Sequence, residues 1–438
     1  MDLGFETIGN ATLIAYDGGP VLATDPWLKG PAYFGSWTRT HEIPDEQWDA
    51  VTRCPYLWIS HGHPDHLSPE TLQQLPGKTI LLADHVGGRI ARELTQQGYK
   101  VEVLKCGEWR QLSPRLKICA VADYGQDAVL MLDLGGRLIV DANDAPDKGI
   151  AGFLHATVQR YTESYLLYLT GYGDADMLNV FDEDGTRFTP PAAAKEPVGP
   201  VIAQLLEHFG ITHFVPFSSM HKYQRTDSAW ANEFATPLAA HASGFQSTVG
   251  DMLPAFVHAD FARDEVFGLE PAETPNTLHA PEEFGDSWDE PLQDGDLQRL
   301  RDYFEPVQHL KTFLGFLQFE VAGDTHRIEI AREQPRGLTF AVPRHTLMSC
   351  AEWRIFDDIL IGNYARCTLH GDWGGRTGTA ALYPDFGPFL CKYADNGNAR
   401  TASELRAYFK AYEARGFFRL GGTPAGDADA RAIAPYLE

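Results

Sequence analysis

The residues best suited to chemistry lie in one short run at positions 61–66, which reads His-Gly-His-Pro-Asp-His. Four of its six side chains are of types that bind divalent metals, namely those of His61, His63, Asp65 and His66. His61 and His63 alternate on a tight loop, so both rings can point to one side. Asp65 and His66 follow at once and can address a second position, as in two-metal sites. The run therefore predicts a centre for one or two metal ions, against the alternative of a surface loop with incidental histidines.

The elements around this run place it at the edge of a sheet. A continuous apolar stretch at 56–59 predicts a buried strand that stops where the histidines begin. Ser68, Pro69 and Glu70 carry the N-cap and first-turn signature of a helix running to about residue 75. The metal-binding residues thus lie on a strand-to-helix loop. Further elements are predicted as strands at 5–8, 12–16, 21–24, 79–83, 101–104, 116–122 and 212–217, a hairpin over 128–142 and a helix over 201–209.

The composition changes along the chain and suggests two domains. From about residue 260 the sequence becomes rich in proline and acidic residues, which is typical of a linker or a segment that wraps the surface. We predict a metal-binding catalytic domain over 1–258, an acidic Pro-rich linker over 259–296 and a C-terminal α+β domain over 297–438. Within the last, we expect strands at 313–321, 327–331 and 338–342 and a helix at 402–415.

The overall charge limits the partners of this chain. A net charge of −24 over 438 residues argues against nucleic acid or an anionic membrane surface, because both require clustered Lys and Arg. No basic segment leads into an apolar run at the start, and no stretch approaches the roughly 18 apolar residues of a membrane span. Six cysteines without paired short spacing fit reduced thiols. We therefore expect a cytoplasmic protein.

The metal motif resembles that of a known superfamily. A His-x-His-x-Asp-His run after a strand is similar to the first metal motif of the metallo-β-lactamase superfamily, which implies an α+β fold with an αββα sandwich. The stretches at 10–13, 25–32, 41–42 and 58–68 resemble the catalytic part of the CMP-N-acetylneuraminate hydroxylase family, and looser similarity continues at 214–217, 286–289 and 356–362. The resemblance thus spans most of the chain, strongly before about residue 70.

The resemblance implies further metal ligands on later strand ends. The bridging carboxylate of the family matches Asp144, with Asp141 as a local competitor that sits within the strand pattern. The last histidine of the family matches His221, which follows the strand predicted at 212–217. For both Asp144 and His221 the alternative is a surface turn.

One expected histidine is missing. After the strand at 116–122 the sequence has no histidine, and counting back from Asp144 places Asp123 where the family has its ligand, with Asp127 as the alternative. A carboxylate in place of an imidazole favours iron or manganese over zinc. The competing interpretation is that Asp123 only caps a turn, so that the first metal has His61, His63, Asp144 and water.

Four further residues are candidates for supporting roles. Asp25 ends the third strand, where the superfamily often has an aspartate that orients a ligand histidine; a turn aspartate before proline is the alternative. His41, Tyr223 and Arg225 can line a pocket or anchor a substrate carboxylate or phosphate, although such residues are more often on the surface. The glycine- and aspartate-rich segment 171–176 can cover the site or be an ordinary turn.

An intact Rieske iron–sulfur site is not encoded. Cys367 and His370 have the spacing of half such a site, but Cys350 has no matching histidine. The hydroxylase family carries an N-terminal Rieske domain that feeds electrons to its catalytic part, whereas this sequence starts on the catalytic fold. We therefore expect electrons to come from a separate ferredoxin or reductase.

Two activities compete at this stage. The favoured one is a non-haem iron monooxygenase, with two irons favoured, that uses dioxygen to hydroxylate a small organic molecule not assumed to be a CMP-sugar. One iron would be held by His61, His63, Asp123 and Asp144, and the other by Asp65, His66, Asp144 and His221. The alternative is a zinc, manganese or iron hydrolase of an ester, amide or phosphodiester, in which Asp65 steers a metal-bound hydroxide. A non-catalytic binding module is a third, weaker possibility.

Overall fold

The computed structural model describes residues 1–145, 150–171, 177–415 and 428–437. Its strands are β1 (Leu3–Ile8), β2 (Thr12–Asp17), β3 (Pro20–Thr24), β4 (Trp37–Arg39), β5 (Tyr56–Ile59), β6 (Thr79–Ala83), β7 (Lys100–Leu104), β8 (Trp109–Ser113), β9 (Leu116–Ala122), β10 (Ala128–Leu134), β11 (Arg137–Asn143), β12 (Ser164–Leu169), β13 (Val180–Phe181), β14 (His213–Phe217), β15 (His221–Tyr223), β16 (Asp251–Met252), β17 (Val257–Asp260), β18 (Glu265–Gly268), β19 (Leu314–Val321), β20 (Asp324–Glu329), β21 (Arg336–Ala341) and β22 (Arg366–His370). Its α-helices are α1 (Asp45–Arg53), α2 (Pro69–Leu72), α3 (Arg89–Gln96), α4 (Ala151–Val158), α5 (Gly199–Phe209), α6 (Asp296–Phe304), α7 (Arg344–Trp353), α8 (Asp357–Ile361), α9 (Thr379–Leu382), α10 (Ala402–Ala414) and α11 (Ala428–Ile433), and a π-helix spans Pro388–Asn396.

Two mixed sheets form the larger part of the molecule. The first has the order β18-β17-β1-β2-β3-β5-β6-β7, in which β3, β5, β6 and β7 are parallel. The second has the order β16-β14-β12-β11-β10-β9-β8, in which β16, β14, β12 and β11 are parallel. Parallel strands end at one edge of a sheet, and this edge carries the residues that follow β3, β5, β11 and β14.

The two sheets pack face to face and helices cover their outer faces. The shared core includes Phe5 and Trp58 from the first sheet and Ile118 and Val140 from the second. Helices α1 and α3 pack on the outer face of the first sheet, and α4 and α5 cover the second. Strands β1, β5 and β6 are buried along nearly their whole length because both of their faces are covered. This arrangement confirms the predicted α+β class and the αββα sandwich.

A third sheet of five strands, ordered β13-β22-β21-β19-β20, forms the core of a C-terminal unit. Helices α6 to α9 contribute to its apolar core. The unit is interleaved with the sandwich, because β13 comes from the first half of the chain and pairs in parallel with β22. Conversely, the C-terminal part of the chain contributes to the core of the sandwich, through Tyr393, Tyr408 and Phe409.

The segment predicted as a linker, 259–296, differs from that expectation at its start. It begins inside β17, and β18 pairs with β17 and extends the first sheet. All four residues of β18 are exposed, and its two apolar residues, Val266 and Phe267, form too short a run to predict a strand from the sequence. Farther along, the buried Asp286 accepts a 2.8 Å hydrogen bond from Arg225, and Trp288 donates one of 2.9 Å to Asp227. The segment therefore wraps the surface and is tied to it.

None of the described helices combines the length and the hydropathy needed to cross a lipid bilayer.

Asp395, in the π-helix, makes the stability of the C-terminal unit depend on pH. Burial raises the pKa of this carboxyl to about 7, although Tyr303 donates a 2.6 Å hydrogen bond to its Oδ2. The folded protein thus keeps a proton that the unfolded chain releases near pH 4, so the free energy of unfolding falls as the pH rises through about 7. We expect Asp395→Asn to remove the part of this slope that Asp395 contributes, which is a relative gain of about 2 to 3 kcal/mol between pH 5 and pH 8.

Urea unfolding at pH 5 and pH 8 measures this effect, and Asp302→Asn provides a matched control at an exposed position. The control is expected to keep the wild-type slope. A wild-type slope in Asp395→Asn would mean that the buried carboxyl is not its origin.

Candidate metal centre

The first half of the candidate centre is formed by His61, His63 and Asp144. Nε2 of His61 lies 2.9 Å from Nδ1 of His63 and 3.8 Å from Oδ2 of Asp144. One ligand atom of each residue lies within 4.8 Å of the other two. The histidines follow β5 of the first sheet and Asp144 follows β11 of the second, so the centre joins the two sheets.

The second half is built around His66, which faces two carboxylates. Its Nε2 lies 3.2 Å from Oδ2 of Asp65 and 3.2 Å from Oδ2 of Asp144. His66 is completely buried and Asp65 nearly so. Because Asp144 faces both His61 and His66, it links the two halves in the position of a bridging carboxylate.

Asp25 contacts the ring of His66 directly and that of His61 through the hydroxyl of Ser60. Its Oδ2 lies 3.2 Å from Nδ1 of His66. Ser60 donates to Asp25 from its N–H at 2.8 Å and from its hydroxyl at 2.7 Å, and the same hydroxyl lies 2.9 Å from Nδ1 of His61. Asp25 directly follows β3 and has a left-handed backbone conformation, where the chain turns sharply out of the sheet. These contacts suit the predicted role of orienting a ligand histidine.

The C-terminal unit also reaches the centre. Nε2 of His63, the ring nitrogen that points away from His61, lies 3.1 Å from Oδ2 of Asp357 at the start of α8. Residue 357 lies in a stretch of loose family similarity, 356–362, which implies no role for it. No spacing rule relates it to His63, from which it is 294 positions away.

Two side chains that sequence analysis did not single out hold Asp65 in place. The hydroxyl of Tyr33 donates a 2.6 Å hydrogen bond to Oδ1, and the amide of Asn10 donates one of 2.9 Å to Oδ2. Burial would raise the pKa of Asp65, but the neighbouring His66 lowers it below its usual range. Asp65 is therefore a fixed, ionised carboxylate.

The histidines differ in charge when no metal is bound. Burial, with the neighbouring imidazoles of His66 and His63, lowers the pKa of His61 well below its usual range. Burial would also lower the pKa of His66, but the carboxylates of Asp65 and Asp144 raise it well above that range. A metal ion bound at His66 must therefore displace a proton, so metal affinity falls at low pH.

The two aspartates proposed to replace the missing histidine lie on one turn. The carboxylate of Asp123 accepts a 3.0 Å hydrogen bond from the N–H of Asp127, whose carbonyl accepts one of 2.8 Å from the N–H of Asp123. Within the part of the chain that the structure describes, neither carboxylate joins the group of mutually close ligand atoms. This geometry favours the turn interpretation, and Asp123 as a ligand stays a prediction.

A lysine that no sequence pattern indicated, Lys392, lies close to two aspartates near the centre. The ammonium of Lys392, on the π-helix, lies 3.7 Å from Oδ1 of Asp127 and 3.8 Å from Oδ2 of Asp357. Burial would lower the pKa of Lys392, but Asp127, Asp357 and Asp123 raise it above its usual range. A permanent positive charge therefore stands among the carboxylates beside His63.

His221 packs against the aromatic side chains of Trp37 and Tyr223. It begins β15, which pairs with β4, and its ring stacks on that of Trp37 with 3.4 Å between centroids and 2° between planes. At the end of β14, Ser218 donates to Asp144 and lies 3.5 Å from Nε2 of His66. In the described ranges His221 joins no group of mutually close ligand atoms, so its role as a ligand stays a prediction.

The three residues predicted to line a pocket have different surroundings. His41 is half-buried and lines a cavity of 730 Å³. Tyr223 is buried and accepts a 2.9 Å hydrogen bond from Asn363. Arg225 is fully buried, and Asp227 and Asp286 occupy its guanidinium. The prediction that Arg225 anchors a substrate is therefore corrected, because internal carboxylates bind its donors.

The predicted covering loop, 171–176, lies outside the described residues apart from Gly171.

The donor set fits a bound metal. Imidazole nitrogens and carboxylate oxygens converge, while Ser60, Asp357 and Asp25 hold the outward-facing nitrogens, as partners of ligand histidines do. Nitrogen and oxygen donors without thiolate suit iron, manganese or zinc.

A two-sheet sandwich with a His-x-His-x-Asp-His loop at the edge of its parallel strands is a metallo-β-lactamase-type fold. Within that class, part of the chain is homologous to cytidine monophosphate-N-acetylneuraminic acid hydroxylases. It is 30% identical over 133 residues to that of Asterias rubens, covering 28% of this chain and 20% of the relative. It is 29% identical over 132 residues to that of Gorilla gorilla gorilla, covering 28% and 22%. The match thus spans about a fifth of the relatives' length, and no protein-family model matches the chain.

Solved structures with low overall similarity include hydrolases and a hydroxylase. An isothiocyanate hydrolase from Delia radicum gut bacteria aligns with a TM-score of 0.37 at 15% identity, over 61% of this chain and 99% of that one. CmlA, a diiron β-hydroxylase from Streptomyces venezuelae, aligns with a TM-score of 0.37 at 11% identity, over 61% and 54%. The metallo hydrolase Igni18 from Ignicoccus hospitalis aligns with a TM-score of 0.34 at 15% identity, over 49% and 82%.

Proposed function

We propose that this chain is a non-haem iron monooxygenase, with two irons favoured, that hydroxylates a small organic molecule. The observation that carries the proposal is the homology of part of the chain to hydroxylases. The nitrogen and oxygen ligands around Asp144 support it, since such donors suit iron.

His61, His63 and Asp144 would hold one iron, and Asp65, His66 and Asp144 the other. Asp123 and His221 remain candidate additional ligands. Bound iron would supply dioxygen binding and the electron transfers that the protein's own side chains cannot perform.

Two of the chain's own residues hold the carboxylate of Asp65 in place at the proposed centre. Tyr33 and Asn10 fix Asp65, so its carboxylate keeps one orientation towards His66. Burial and the neighbouring carboxylate of Asp65 raise the pKa of Tyr33 well above its usual range, so its hydroxyl keeps its proton and donates to Oδ1 of Asp65.

The overall reaction inserts one oxygen atom into a C–H bond and releases the other as water. It consumes two electrons and two protons for each dioxygen. We propose that a separate ferredoxin or reductase supplies the electrons.

Anaerobic purification followed by metal analysis tests this function. Ferrous iron is added, and optical and Mössbauer spectra are followed as dioxygen is admitted. We expect about two irons per chain and an oxygen-dependent spectral change. Tight zinc or manganese binding without a response to dioxygen would contradict the oxygenase.

A metal-dependent hydrolase is the second candidate, and the fixed, ionised Asp65 favours it. A carboxylate held by two hydrogen bonds beside the ligands is suited to orient a metal-bound water for attack on an ester, amide or phosphodiester. Turnover that is equal with and without dioxygen would identify this activity.

A further inference from the structure

The contact between His63 and Asp357 joins two parts of the protein that are distant in sequence. His63 directs Nδ1 towards His61 at 2.9 Å and Nε2 towards Oδ2 of Asp357 at 3.1 Å. The two nitrogens of one imidazole thus have separate partners. Nδ1 belongs to the candidate centre and Nε2 belongs to the C-terminal unit.

Asp357 is rigidly placed for this contact. Its neighbours Phe356 and Ile359 are buried in the C-terminal apolar core. Its Oδ1 accepts a 3.3 Å hydrogen bond from the Tyr383 hydroxyl, and the ammonium of Lys392 lies 3.8 Å from Oδ2. Asp357 itself is 6 % exposed. The carboxylate is therefore fixed by contacts that do not involve His63.

An acceptor at Nε2 determines how His63 can bind a metal. A neutral imidazole carries one proton, and a carboxylate at Nε2 keeps that proton there. The lone pair then remains on Nδ1, the atom that faces His61. A fixed carboxylate also raises the basicity of the ring and restricts its rotation.

We propose that Asp357 is a positioning residue for His63, so that the C-terminal unit completes the metal centre. The inference rests on the proposed metal centre but not on the hydroxylation reaction. Its expected effect is the usual effect of such partners, a tenfold to hundredfold change in metal affinity.

Binding of Co²⁺ to the full chain under anaerobic conditions tests this role. Competition with a chelator gives the affinity, and the visible Co²⁺ bands report ligand geometry. We expect Asp357→Ala to bind Co²⁺ about 10- to 100-fold more weakly and to shift the bands. Asp357→Asn retains an oxygen acceptor without the charge, so its affinity should lie between those of the wild type and Asp357→Ala.

Asp395→Asn is the matched control, because it changes a buried aspartate of the same unit that contacts Tyr303. It should bind Co²⁺ as the wild type does. If Asp357→Ala does not fold, Asp357→Asn carries the test, with weakened binding expected.

Wild-type affinity and bands in the folded Asp357 variants would overturn the positioning role. Absence of Co²⁺ binding by the wild type would overturn both the role and the centre. A wild type that binds metal but does not respond to dioxygen would overturn the oxygenase alone.

Discussion

Asp144→Ala is expected to abolish tight metal loading at both halves of the centre. Its Oδ2 faces Nε2 of His61 at 3.8 Å and Nε2 of His66 at 3.2 Å, so one side chain serves both positions. Loss of a direct ligand should exceed the roughly 10- to 100-fold effect of losing a partner of a ligand. We therefore expect metal affinity to fall by more than about 100-fold, with loss of activity. Metal analysis after dialysis against a weak chelator measures the effect.

Asp141→Asn is the matched control, because Asp141 lies in β11, the strand that Asp144 follows. Burial raises the pKa of Asp141 well above its usual range, which favours the protonated form that an amide resembles closely. This variant should retain metal. Equal loading of Asp144→Ala and Asp141→Asn would show that Asp144 is not a ligand.

Lys392→Met is expected to produce the largest loss of stability. The methionine fills the space of the lysine stem but leaves the carboxylates of Asp127 and Asp357 without the ammonium that lies 3.7 and 3.8 Å away. Removing one partner of a buried ion pair costs about 3 to 5 kcal/mol, because the remaining charge has lost its counter-ion. Thermal and urea unfolding in the presence of a chelator should show this loss.

Lys222→Met provides the control for the lysine-to-methionine change. The Lys222 ammonium donates to the carbonyl of Thr274 and to the side-chain oxygen of Asn276. Its replacement should cost about 1 kcal/mol. Equal losses in the two variants would show that the carboxylates around Lys392 do not depend on its charge.

Several strands of the sandwich could be predicted from the sequence because they are buried on both faces and are therefore rich in apolar residues. Strands β5, β6 and β9 have the predicted bounds, since each is a largely apolar run, interrupted in β9 only by Lys117. The exposed β18 and the two-residue β13 gave no such pattern and were not predicted. The helix expected to run from Ser68 to about residue 75 ends at Leu72, because a capping signature marks where a helix starts but not how far it continues.

Some residues of the metal centre could be predicted from local sequence patterns, whereas others are brought to it only by the tertiary fold. His61, His63, Asp65 and His66 share one loop, so their types and spacing indicated a metal site directly. Asp144 was located through a family resemblance. Asp357 and Lys392 reach the centre only through the packing of the C-terminal unit, and no local pattern indicates such a contact. His221 was predicted as a ligand because it follows a predicted strand. In the structure, the residue that directly follows that strand, β14, and contacts Asp144 is Ser218.

The distance in sequence between His63 and Asp357 has a consequence for biosynthesis. During translation, 294 positions separate the two residues that meet at 3.1 Å in the folded protein. A ribosome must therefore make most of the chain before His63 can acquire this partner. The proposed centre, with Asp357 hydrogen-bonded to His63, is therefore complete only after the C-terminal unit has emerged and folded.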